Sequence, residues 1–62
     1  MTKLNLDPNL KNADEFYAQL LAAHEGLSKA DSDALNARLV LVLANHIGDL
    51  ATLEEAICVA EG

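Results

Sequence analysis

The chain has little of what marks a secreted domain, a membrane protein or a nucleic-acid binder. Its single cysteine cannot form an intramolecular disulfide, which excludes a disulfide-stapled mini-protein and favours a reducing compartment. The chain has four Lys and Arg residues and ten Asp and Glu residues. Its formal net charge of −6 would repel phosphate backbones and anionic membranes. The longest aliphatic run, residues 39–44, is far shorter than a membrane span. We therefore expect a cytoplasmic protein that binds neither nucleic acid nor membrane.

Aromatic side chains are also scarce, at 3% of the residues, whereas Leu and Ala are abundant. This composition favours helices over strands, and a hydrophobic content of 52% is too high for a disordered chain. A chain of 62 residues accommodates one small domain. Such a domain buries only about 60% of the surface of its unfolded chain, so it is marginally stable unless it packs tightly or assembles. We predict a single all-α domain over residues 1–62.

Capping residues and glycines delimit three helices. The expected N-caps are Asn12, Ser28 and Asp49. Asn12 followed by Glu15 has the spacing of a capping box, and Gly26 and Gly48 favour left-handed stops. The expected helices cover about 13–25, 29–47 and 50–60. Because the connections between them are short, successive helices should be antiparallel neighbours in a compact three-helix arrangement.

The first twelve residues are predicted to form an extended arm. Leu4, Leu6 and Leu10 alternate with polar residues, and Pro8 is incompatible with a helix around it. Alternating leucines suit docking into an apolar groove, either of the same chain or of a partner.

The centre of the second helix is apolar on nearly every side. Leu35, Leu39, Leu43 and Ile47 recur on one side of it, and the third helix offers a narrow matching face of Leu50, Leu53, Ile57 and Ala60. Leu41 and Val42 lie nearer the line of Arg38 and Asn45. Two narrow helical faces are not expected to cover the whole second helix. Leu41 and Val42 are therefore a candidate interface, to be covered by the arm or by another chain.

Several polar side chains fall at positions that face apolar surroundings. Tyr17 and His24 lie within the apolar side of the first helix, and Asn36 lies near Leu43 and Ile47 on the second. Polar groups at such positions usually bond to a backbone carbonyl or to water, or contact a partner. Alternatively, Tyr17, His24 and His46 could form the site of a small-ligand or metal carrier, although zinc normally needs three or four converging ligands. We expect neither a metal nor a cofactor.

No spacing indicates a nucleophile, a base and an orienting group. Cys58 has no neighbouring basic residue in sequence that would activate its thiol as a nucleophile. We predict a protein that is not an enzyme.

Short blocks along nearly the whole chain also resemble a known family. They include His24-Glu25-Gly26-Leu27, Leu35-Asn36-Ala37-Arg38-Leu39 and Ala44-Asn45-His46-Ile47-Gly48-Asp49. The resemblance is to very short proteobacterial proteins catalogued as a domain of unknown function, whose genes often lie near flavin-dependent monooxygenases of aromatic catabolism. It implies an accessory role beside a flavoprotein hydroxylase and assigns no residue a function.

Together these observations predict a small helical protein that acts by binding protein, either itself as a homo-oligomer or a flavoprotein monooxygenase as an accessory subunit. The alternative is the carrier that uses Tyr17, His24 and His46. The predicted interface residues are Leu4, Leu6, Leu10, Tyr17, His24, Asn36, Arg38, Leu41, Val42 and Asn45.

Overall fold

The structure, a computed structural model, describes residues 4–62 and consists of three helices. They are α1 (Ala13–His24), α2 (Lys29–Ile47) and α3 (Leu50–Glu61). The described chain is 73% helical and contains no strand, which confirms the predicted all-α arrangement. Each boundary lies within one residue of its predicted position. Residues 4–12 precede α1 without helix or strand, and the remainder of the predicted arm, residues 1–3, lies outside the described residues.

Two of the three expected N-caps form. Ser28 Oγ accepts a hydrogen bond from the Asp31 backbone N–H at 3.2 Å, and Asp49 Oδ2 accepts one from the Thr52 backbone N–H at 2.8 Å. The Thr52 hydroxyl also donates to Asp49 Oδ2, at 2.6 Å. Each cap residue has the extended backbone that directs its side chain towards the first helical amides.

The capping box predicted at Asn12 is wrong, because the Asn12 side chain makes no capping hydrogen bond. Its backbone has φ −112° and ψ 49°, which is outside the extended region that Ser28 and Asp49 adopt. The helix nevertheless begins where predicted, since the Phe16 backbone N–H donates to the Asn12 carbonyl at 2.9 Å.

The turn between α2 and α3 requires a left-handed residue. Gly48 has φ +69°, and its N–H donates to the Ala44 carbonyl at 2.9 Å. A Cβ at this position would meet only the Asn45 carbonyl oxygen, at an ordinary contact distance of 3.7 Å. The need for glycine is therefore conformational rather than steric.

α2 and α3 pack against each other, yet the described residues enclose almost no interior. Among residues 4–62 no hydrophobic side chain is fully buried, and Thr52, at 7% exposure, is the one buried residue. The half-buried apolar residues are Leu4, Leu20, Ala34, Leu35, Leu39, Ala44, Leu53 and Ala56. None of the helices in this part of the chain combines the length and hydropathy that crossing a membrane requires.

The Asp49 cap joins the start of α3 to the one buried side chain, so its removal should weaken the α2–α3 pair. We predict that Asp49→Ala lowers the free energy of unfolding by about 1–2 kcal/mol, because the Thr52 amide and hydroxyl lose their acceptor. Urea unfolding followed by circular dichroism measures the change.

Ser28→Ala is the control, because this substitution removes only one, longer capping bond. A loss for Asp49→Ala no larger than that for Ser28→Ala would contradict the importance assigned to the Asp49 cap.

Candidate functional site

An apolar groove runs between α2 and α3 and has a volume of about 490 Å³. Its lining residues are all aliphatic: Val40, Leu43, Ala44, Ile47, Leu50, Leu53, Ala56, Ile57 and Ala60. No charged or hydrogen-bonding side chain lines it. The groove can therefore bind by hydrophobic contact and shape, and it offers no group for acid–base or nucleophilic chemistry.

The walls of the groove are two apolar stripes that are joined by the short turn. On α2, Val40, Leu43 and Ile47 recur at intervals of three and four residues and form one stripe. Leu50 and Ile57 belong to the corresponding stripe of α3. Because only Gly48 and Asp49 separate the helices, the two stripes meet along one side of the pair.

Both bulky and small side chains line the groove. Leu50 and Ile57 are 71% and 59% exposed, so their side chains stand open to solvent. Ala44 and Ala56 are half-buried and leave depth between the bulkier residues. This mixture of large and small side chains suits the packing of a further helix, because large residues of one surface fit beside small residues of the other.

This groove was not predicted from the sequence. Leu50, Leu53, Ile57 and Ala60 were predicted to form the face with which the third helix covers the second, but only Leu53 among them is half-buried. The half-buried apolar residues of α3 are Leu53 and Ala56, whereas the side chains of Leu50 and Ile57 remain exposed. The sequence feature that could have indicated the groove is the pair of apolar stripes on either side of Gly48. Together these stripes present more apolar surface than one short helix can cover.

The predicted interface residues on the opposite side of α2 do not belong to the groove. Leu41 is 69% exposed, and Val42, Arg38 and Asn45 are also exposed. Leu41 and Val42 thus form an exposed apolar surface of α2 that is separate from the groove, and we call it the Leu41 surface. A role for the Leu41 surface in binding stays a prediction.

The leucines of the arm do not cover the groove either, since none of its lining residues comes from residues 4–12. Leu6 and Leu10 are exposed, whereas Leu4 is half-buried. Leu10 borders a separate shallow depression together with Phe16 of α1. In this structure the arm and the groove are independent surfaces.

His24 links α1 to α2. Its Nδ1 lies 2.8 Å from the Leu20 carbonyl oxygen, and its Nε2 lies 2.9 Å from Oδ1 of Asn36. A carbonyl only accepts, so Nδ1 must donate; Nε2 then donates to Oδ1 only when the ring is doubly protonated. In the neutral ring Nε2 accepts, and the Asn36 amide must turn so that its NH₂ donates. The pair can thus be hydrogen-bonded in either protonation state.

The three residues of the carrier alternative are not brought together around the groove. Tyr17 is 60% exposed, His46 is exposed, and neither they nor His24 line the groove. Across residues 4–62, no three His, Cys, Asp or Glu side chains form a group that could hold a metal ion. Cys58 is a free, exposed thiol. We therefore treat the groove as the candidate site.

Residues 4–62 match the model of a family described as "Protein of unknown function (DUF2783)", and the chain belongs to that family. The resemblance to a domain of unknown function is thereby confirmed over nearly the whole chain. No curated protein matches the chain. No solved structure matches it.

The His24–Asn36 pair should contribute to stability through the α1–α2 contact. We predict that His24→Ala lowers the free energy of unfolding by about 1 kcal/mol, because it removes a link between helices and a half-buried ring. A double-mutant cycle with Asn36→Ala should give a coupling energy of about 0.5 kcal/mol or more. Strictly additive effects would contradict a direct interaction.

Proposed function

We propose that this protein acts by binding another polypeptide chain through its apolar surface, and not as an enzyme. The observation that carries the proposal is the exposure of fourteen large hydrophobic side chains in a chain whose described residues bury no hydrophobic side chain fully. Isolated exposed hydrophobic residues are ordinary, but contiguous apolar surface on a small protein marks an interaction site.

The chemistry of the groove supports a binding role. Aliphatic side chains alone line it, so a bound peptide would be held by burial of its own apolar residues. A catalytic site needs at least one group that donates, accepts or attacks, together with donors that stabilise developing charge.

The finer proposal for a partner rests on the sequence resemblance. If the chain serves a second protein species, we propose a flavin-dependent monooxygenase in the cytoplasm of a proteobacterium, with this protein as its accessory subunit. Its net charge of −6 would then favour a partner with a basic rim around the contact surface.

The proposal predicts that the protein in its native host is part of a defined complex. A tagged chain produced at its natural level and purified gently should give a single stoichiometry by native mass spectrometry. The complex should hold either several copies of the chain or the chain and one other protein. Detergent-free buffer at physiological salt keeps hydrophobic contacts intact.

A purified species that is monomeric in the host extract, with no second protein at stoichiometric amounts, would contradict the proposed function. A stoichiometric metal in the purified protein, lost on His24→Gln or His46→Gln, would instead support the carrier.

A further inference from the structure

We propose that the α2–α3 groove is filled by the α2–α3 pair of a second copy of the chain, so that the protein is a homodimer built around a four-helix bundle. This inference rests on the proposed binding function and identifies the partner of the groove. Two antiparallel helices with one open apolar face complete a bundle when an identical pair covers that face. In a dimer with a two-fold axis through the groove, both copies use the same surface, so the contact is self-complementary and the assembly is closed at two copies.

The exposed surface area supports a partner of this size. The chain exposes 5480 Å², whereas a folded monomer of 6.6 kDa is expected to expose about 3900 Å² from the scaling of area with mass. The excess is about 1600 Å². Each partner buries about 800 Å² in a standard interface, so the chain exposes enough excess surface for a contact of that size. A second pair of helices over the groove would remove about half of the excess.

The shape of the groove suits a second copy. Its aliphatic lining combines bulky side chains such as Leu50 and Ile57 with Ala44, Ala56 and Ala60. In a two-fold arrangement the bulky residues of one copy face the small residues of the other, as in the layers of a helical bundle. No charged group lines the groove, so the contact desolvates none there.

The charges of the chain determine how such a dimer responds to salt. Helical spacing places Glu54 beside Leu50 and Ile57, and Glu61 beside Ile57, at the rim of the groove. Each copy carries a formal charge of −6. Two copies therefore repel each other, and added salt should screen this repulsion and strengthen the dimer. A complex with a basic partner would respond in the opposite direction.

The test is sedimentation equilibrium of the purified full chain over micromolar concentrations, in low and in high sodium chloride. The expected mass approaches twice the monomer mass of 6.6 kDa, with a dissociation constant that falls as salt increases. A wild-type chain that stays monomeric, or a dimer that weakens in salt, would overturn the inference. If a hetero-complex were nevertheless isolated from the host, the proposed binding function would stand without the homodimer.

Two matched variants locate the contact. Leu50→Glu places a carboxylate in the groove, at the first turn of α3, where the helix dipole favours a negative charge, so we expect the helix to be retained. Leu41→Glu makes the same change at a residue of nearly equal exposure, outside the groove.

We expect Leu50→Glu to raise the dimer dissociation constant at least about tenfold, and Leu41→Glu to change it much less. Circular dichroism of both variants reports whether the helices are retained. Equal weakening by the two variants, or a larger effect of Leu41→Glu, would overturn the assignment of the dimer contact to the groove.

Discussion

The turn at Gly48 and Asp49 is the constraint on which the rest of the structure depends. Gly48 supplies the left-handed backbone that ends α2, and Asp49 binds both the amide and the hydroxyl of Thr52 at the start of α3. With no further residue between the helices, their apolar stripes must run side by side. The groove is therefore a product of turn chemistry as much as of hydrophobic patterning.

A chain this short has too few elements to enclose its apolar residues. Covering a nineteen-residue helix that is apolar on more than one side needs several neighbours, but α1 and α3 have twelve residues each. The His24–Asn36 hydrogen bond connects α1 to α2, and α3 packs against α2. These contacts leave large aliphatic side chains of α2 and α3 exposed, and their contact with water is unfavourable. The proposed assembly with another chain would cover this surface and stabilise the fold.

Local features of the fold could be predicted from the sequence because they depend on neighbouring residues. Gly26, Gly48 and the caps Ser28 and Asp49 placed the helix ends within one residue. Asn12 was assigned a cap wrongly, since residue type alone does not determine whether its backbone is extended. The direction of each helical face depends instead on tertiary packing. Periodicity grouped Leu50 with Ile57 correctly, but it could not decide whether their stripe faces α2 or solvent.

The candidate site was missed for the same reason. The run over residues 39–44 drew attention to Leu41 and Val42, because they interrupt the polar line of Arg38 and Asn45. The groove instead combines α2 residues from one side of that run with the face of α3. Its existence depends on the angle at which two helices meet, and no pattern within a single helix encodes that angle.

The position of the groove within the sequence also bears on how fast it forms. Both of its walls lie within residues 40–60 and are joined by one tight turn, so closing the loop between them costs little chain entropy. Proteins whose contacts are local in sequence fold on microsecond to millisecond timescales. On these timescales such a surface can form faster than two chains meet at micromolar concentration, so the rate of encounter would limit how quickly the proposed complex appears.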